Sequence, residues 1–143
     1  MKLLNYQIRS SFQTLTEITK NKTLPIKLAY NITMILSNLE SYYRATMDAQ
    51  DRVVRKYAEE GKEYIDKGSE NYPKAQKELN EMLLMEHEVD CKYNIDEESL
   101  TDADLSVNIS QIQSIMPFFS SYEEPDTQSQ EELAENSSDD KES

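Results

Sequence analysis

From Pro25 to about Glu60 the apolar residues recur at helical spacing for roughly ten turns, and no Gly or further Pro stands inside that span to stop a helix. Ile26, Ala29, Ile32, Met34, Ile35, Leu36, Leu39, Tyr42, Tyr43, Met47, Val53, Val54 and Tyr57 make up the set. At about 1.5 Å per residue the helix would be on the order of 50 Å long, more than a small compact domain is wide. A rod of that length either projects from the body or has its apolar side covered in a bundle or by a second copy. The expectation is a helical interaction protein.

The flanking segments can supply that cover. Ile8, Phe12, Leu15 and Ile18 form one stripe of a first helix over roughly residues 5–19. The polar 19–23 turn follows, with Thr23 placed to cap the long helix and Pro25 in its first turn, where a missing amide costs little. Such a short connection predicts an αα-hairpin. Gly61, Gly68 and Pro73 punctuate the polar stretch that ends the rod, and a third helix from about Pro73 carries Ala75, Leu79, Met82, Leu83 and Met85 toward the interior.

Beyond it the period switches from helical to alternating. Val89, Cys91, Tyr93 and Ile95 face one way, and Asp90, Lys92 and Asn94 the other. A second alternation, Leu105, Val107 and Ile109 against Ser106 and Asn108, predicts an antiparallel two-stranded ribbon packed on the helices, because an isolated ribbon is marginal in water. Ser110 is placed to cap a short last helix with Ile112, Ile115 and Met116, stopped by Pro117. The fold class is therefore mainly α (α+β): a long helix in a helical hairpin or bundle, with a small β-ribbon, forming one domain over residues 1–119. Residues 120–143 have no apolar period and too little to bury against the ordering entropy, so they read as a disordered acidic tail. Of the net charge of −13, that tail carries −8, from nine acids and Lys141, which leaves −5 on the body.

This charge disfavours direct nucleic-acid binding, which needs Lys and Arg to displace counterions from phosphates. No apolar run approaches the roughly 18 residues that span a bilayer, and Asn5, Gln7, Arg9 and Ser10 interrupt any signal-peptide core, so no membrane partner and no export are expected. Cys91 is the single cysteine and cannot form an internal disulfide, which fits a reducing compartment; the Asn-x-Ser/Thr sequons at Asn21, Asn31, Asn108 and Asn136 then carry no glycan.

For chemistry the chain offers little. His87 and Cys91 use a metal-ligand vocabulary, but one His and one Cys at a helix-to-strand boundary make a poor zinc site, and Cys91 belongs to the apolar face of its segment. The acids between Asp96 and Asp104 lack the glycine of a calcium loop. With two glycines in all and no Gly-flanked serine, neither a phosphate-cradling loop nor a nucleophile with its oxyanion donors is visible. No catalytic residue, cofactor or metal is assigned, and the protein reads as a non-enzyme. Among the nine tyrosines, Tyr42, Tyr43, Tyr57 and Tyr64 lie along the rod and its exit, and they are the candidate partner-binding residues, since Tyr suits a position buried at one end and open to a partner at the other. Ordinary helix packing is the competing use.

The order of these segments resembles an uncharacterised family of small proteins of tailed bacteriophages and prophages. The resemblance covers roughly residues 3–119: Leu24-Pro25-Ile26-Lys27-Leu28-Ala29 opening a long helix that contains Leu39-Glu40, the Tyr57 to Gly61 exit, the Leu83 to Val89 segment, Ile109-Ser110, and Ile115-Met116-Pro117-Phe118. It implies expression in the host bacterial cytoplasm and carries over no functional residue, and the acidic tail departs from it. The resulting expectation is a non-enzymatic phage protein that binds another protein, host or phage, as an assembly accessory factor or an inhibitor of a host system. A homo-oligomer is one form of that binding. The alternatives are an acidic nucleic-acid mimic that blocks a DNA-handling host enzyme and, last, a metal-dependent enzyme using His87 and Cys91.

Overall fold

The structure is a computed structural model that describes residues 1–103 and 105–124. Its elements in chain order are β1 (Lys2–Leu4), α1 (Asn5–Thr19), α2 (Ile26–Tyr57), α3 (Asn71–Leu83), β2 (Glu86–Glu88), α4 (Glu97–Asp102) and α5 (Ile109–Ile115), closed by a 3-10 turn at Met116–Phe118. The fold is mainly helical with one small antiparallel sheet.

The 32 residues of α2 form one uninterrupted helix, about 48 Å long at the standard rise. Its buried side chains, Leu28, Ile32, Ile35, Leu39 and Thr46, recur at three and four until Leu39 and place a single stripe against the interior. Thr23 does not cap it. Both the amide and the hydroxyl of Thr23 donate to Asn21 Oδ1, at 2.9 and 2.7 Å, and the N-cap position falls on Pro25. Arg55 and Lys56 lie in the last turn, where their charge complements the helix dipole. The chain then leaves through Ala58 in extended geometry, and Gly61 adopts φ +83°, a conformation L side chains rarely take.

Against this spine α1 packs as the predicted hairpin partner. Phe12 stacks on Tyr43 with ring centroids 4.0 Å apart, and Arg9 donates to Gln50 at 3.1 Å, so the two helices run in opposite directions. α3 starts two residues before Pro73, which sits harmlessly in the first turn, and it meets α2 through Lys56–Glu78 (2.7 Å) and Asn71 Nδ2 to the Tyr57 carbonyl (3.4 Å). Ala75 is its buried residue; Met85, expected inside, is 54% exposed because it lies past the last helical turn, where the chain straightens into β2.

The ribbon exists, but its strands are not those the alternation suggested. β1 pairs with β2 in antiparallel register, Lys2 with Glu88, Leu3 with His87 and Leu4 with Glu86. Residues 89–95 keep the predicted sidedness, with Val89 and Ile95 buried and Asp90, Lys92 and Asn94 exposed, yet they form no ladder beyond the Ile95–Phe119 bridge. They lie over α2 instead, where Asn31 Nδ2 donates to the Asn94 carbonyl and Asn38 lies 3.9 Å from the Cys91 sulfur. The intended second strand is unavailable to them because Asn108, not Ser110, nucleates α5. The Gln111 amide donates to Asn108 Oδ1 and the Asn108 amide to Gln111 Oε1, both at 2.9 Å, a reciprocal capping box that turns the chain helical from Ile109.

The core gathers Leu3, Ile8, Leu15, Ile18, Leu28, Ile32, Ile35, Leu39, Val89, Ile95, Leu100, Ile115 and Phe118 into one cluster. Packing does not stop at Phe119: the Ser120 amide donates to the Ile95 carbonyl at 3.0 Å and the Tyr122 amide to the Phe119 carbonyl at 3.0 Å. The disordered stretch expected over 120–143 thus overlaps packed chain at its start, and from residue 125 it lies outside the described residues. Among the described residues no helix is long and apolar enough to cross a membrane.

Candidate interaction surface

The four tyrosines singled out from the sequence do not share one environment. Tyr43 is stacked on Phe12, and Tyr42 leans on the His87 ring at 5.1 Å, so both contribute to packing between α2 and its neighbours. Tyr57 is half-buried under the Lys56 ammonium, 5.0 Å above its ring, and Tyr64, 59% exposed, sits in the loop after α2 with Lys62 5.7 Å from its ring.

His87 and Cys91 are each engaged in structure. Asn5 Nδ2 donates to the Met82 carbonyl at 2.8 Å, which leaves Asn5 Oδ1 as an acceptor facing His87 Nε2 at 2.9 Å, so the imidazole proton resides on Nε2. Asn5 is only 5% exposed, and its backbone amide also donates to the Met85 carbonyl at 3.0 Å. One buried amide therefore ties the start of α1 to the end of α3 and to β2. The Cys91 thiol points at the Tyr93 carbonyl, 3.6 Å away. Among the described residues no group of three or more His, Cys, Asp or Glu is arranged to hold a metal ion.

Charge organises the surface more sharply than the division of body and tail suggested. Residues 1–92 contain 14 acids and 14 Lys or Arg, and so are neutral; the whole net charge of −13 arises after Lys92, from 14 acids against Lys141. From Tyr93 to Glu124 there are seven acids and no Lys, Arg or His. Among the described residues this segment forms α4, the 105–108 connection, α5 and the closing turn; α5 packs on α1, while Lys20 lines a depression with the 105–107 connection and Lys27 one with Asp96 and Ser99. Glu97 and Glu98 occupy the first turn of α4, where the helix dipole favours them, and Ser99 Oγ donates to Asp96 Oδ2 at 2.7 Å. Glu97 Oε1 accepts from both the amide and the hydroxyl of Ser121, which fixes the chain after the 3-10 turn across the base of α4.

Two depressions flank α5. Toward α1 lies a polar one of about 300 Å³, lined by Ser10, Gln13, Thr14, Glu17, Asn108, Ser110, Gln111 and Ser114. Of its hydroxyls, those of Thr14 and Ser114 are 2.9 Å apart and Ser114 Oγ lies 2.5 Å from the Gln111 carbonyl, while the neighbouring Ser11 Oγ donates to the Ser114 carbonyl at 2.6 Å. The Ser11 and Thr14 contacts dock α5 on α1. Toward α4 lies a different depression of about 320 Å³, lined by Leu100, Ala103, Leu105, Val107, Ile112 and Phe119, with Glu97 and Thr101 at its edge. Ile109, 78% exposed, lies three residues before Ile112 on the same side of α5 and continues the apolar surface outward.

No residue of this groove was selected from the sequence. Leu105 and Val107 alternate with Ser106 as one face of a strand would, and the sequence signal that does mark the site is the cation-free run that begins at Tyr93 and crosses the boundary between body and tail. Comparisons with protein-family models, with curated proteins and with solved structures return no match to this chain.

Proposed function

We propose that this chain is a non-enzymatic phage protein that acts in the host bacterial cytoplasm by binding another protein through a basic patch on that partner. It serves as an assembly accessory factor or as an inhibitor of a host system. The observation that carries this reading is the separation of charge along the chain: residues 1–92 are neutral, and residues 93–124 hold seven acids and no Lys, Arg or His. Like-signed potential of this kind steers encounter with an opposite surface and rejects acidic ones. Tyr64 and the exposed Tyr30 enlarge the contact area available to a partner away from that segment.

Affinity capture with the full chain from infected cells, followed by titration of the purified partner at increasing salt, tests the reading. The expected result is a stoichiometric complex with a protein that carries a basic surface, weakening as ionic strength rises. Absence of a protein partner, or a partner bound through an acidic surface, overturns it.

A nucleic-acid mimic is the second reading, favoured by carboxylates held on a folded element at Asp96, Glu97, Glu98 and Asp102. It requires the partner to be a DNA-handling enzyme whose DNA and this chain displace each other. Joint binding of both removes it.

A further inference from the structure

We infer that the groove between α4 and α5 is a docking site for a short partner segment in which one large apolar side chain is flanked by Lys or Arg. This deepens the protein-binding reading above and rests on it. The groove is lined by Leu100, Leu105, Val107, Ile112 and Phe119, and its volume of about 320 Å³ is at the small end of ligand sites, matched to one or two large side chains. Leu100 is 6% exposed and anchors the floor, while Leu105, Val107, Ile112 and Phe119 are half-buried and keep apolar area open to solvent. An apolar anchor inserted there would be shielded from water, the arrangement by which few residues supply most of an interface's affinity.

Charge decides the occupant. Glu97 lies at the edge, and Glu98 and Asp102 are exposed on the same short helix. Lys27 shares a depression with Asp96 and Ser99 at the start of α4, but among the described residues no ion pair engages Glu97, Glu98 or Asp102, which leaves these carboxylates open to a partner's cation. A second copy would bring the same acidic face against itself. The chain's own residues 125–143, with seven acids and Lys141, meet the same repulsion. A neutral small molecule would leave the carboxylates without a role. A Lys/Arg-flanked apolar segment satisfies both the groove and its rim.

The test is selection of a randomised dodecapeptide library on the immobilised full chain, followed by titration of the recovered peptide. The expected result is enrichment of a Phe-, Leu- or Trp-centred motif flanked by Lys or Arg. Thr101→Trp, at an exposed edge position, should fill the mouth and weaken that peptide at least tenfold with an unchanged melting curve. Glu98→Lys combined with Asp102→Lys, both exposed, should weaken it at least tenfold at low salt and much less at high salt. Enriched sequences without Lys or Arg, no enrichment, or Thr101→Trp binding as well as the parent overturns the proposal. So does self-association by light scattering that Thr101→Trp abolishes, which would assign the groove to a second copy. A cellular partner that binds parent and Thr101→Trp chains alike overturns the groove alone and leaves the protein-binding reading standing.

Discussion

Replacing Asn5 with Ala removes the amide at which three segments meet, and the cost can be worked from its bonds. Two strong side-chain hydrogen bonds disappear, Nδ2 to the Met82 carbonyl at 2.8 Å and Oδ1 with His87 Nε2 at 2.9 Å, along with a weak Nδ2 contact to the Met82 sulfur at 3.8 Å. The Met82 carbonyl keeps the Met85 amide at 3.2 Å, and the Asn5 backbone bond to the Met85 carbonyl is untouched. His87 is half-buried, so water can reach part of what it loses. Each bond contributes a net ~0.5–1.5 kcal/mol, which gives a loss of about 1–3 kcal/mol. For a folded part of this size about 3–5 °C of midpoint accompanies each kcal/mol, so the melt should fall by about 3–15 °C. The assay is thermal unfolding by circular dichroism, paired with native-state hydrogen exchange. The added opening should concentrate in residues 1–8 and 80–89, with the 28–39 amides of α2 following only the global change. A midpoint within about a degree of the parent, or loosening spread evenly over α2, would refute the assignment of Asn5 as the tie between α1, α3 and the ribbon.

Four further outcomes follow from the same geometry. Ile35→Ala, at a fully buried site, should cost about 2–5 kcal/mol in urea unfolding, while Ile26→Ala on the same helix, 88% exposed, should stay within about 0.5 kcal/mol. The hydrogen bond from Lys56 holds the Glu78 carboxyl below its ordinary 4.5, and the bond to Glu78 raises Lys56 above its ordinary 10.5. The pair therefore stabilises between those values: its contribution is lost as pH falls through the lowered Glu78 pKa and as pH rises through the raised Lys56 pKa, so Glu78→Gln should melt slightly below the parent near neutrality and indistinguishably from it in strong acid. Ending the chain at Phe119 rather than Glu124 should lower the melt, since it deletes the Ser120 amide bond to Ile95 and both Ser121 bonds to Glu97; equal midpoints would show those contacts contribute nothing. Asn108→Ala should destabilise by about 0.5–2 kcal/mol through loss of the α5 cap, whereas Ser110→Ala should leave the melt unchanged.

How far the sequence revealed this molecule depended on whether the controlling interaction was local. The helical period of 25–60 and of 5–19 survived because a stripe such as Leu28, Ile32, Ile35 and Leu39 has one periodic reading and the helices satisfy their own backbones. Strand pairing is non-local. The alternation of 89–95 identified which side chains go inward but not what they pack on, and the N-terminal Lys2–Leu4, three residues without visible alternation, took the place of the expected partner. The α4 helix was missed because its six residues are mostly acids and Ser/Thr with Leu100 as the single buried anchor, too short to show a period. Thr23 and Ser110 were plausible caps by residue type, but Asn21 engages the former and the Asn108–Gln111 box pre-empts the latter. As for the candidate site, the tyrosines were visible as residues, but their distribution between packing and surface is set by tertiary neighbours such as Phe12 and His87. The groove, by contrast, is assembled from four short segments and had no sequence signature beyond missing cations.

The account centres on residues 93–124 as the face that meets a partner, and the hydrogen-exchange footprint of the complex with that partner tests it most directly. Amides from Glu97 to Phe119 should slow on binding while those from Glu40 to Tyr57 keep their free-state rates. Protection confined to the Glu40–Tyr57 stretch, with α4 and α5 unchanged, would contradict it.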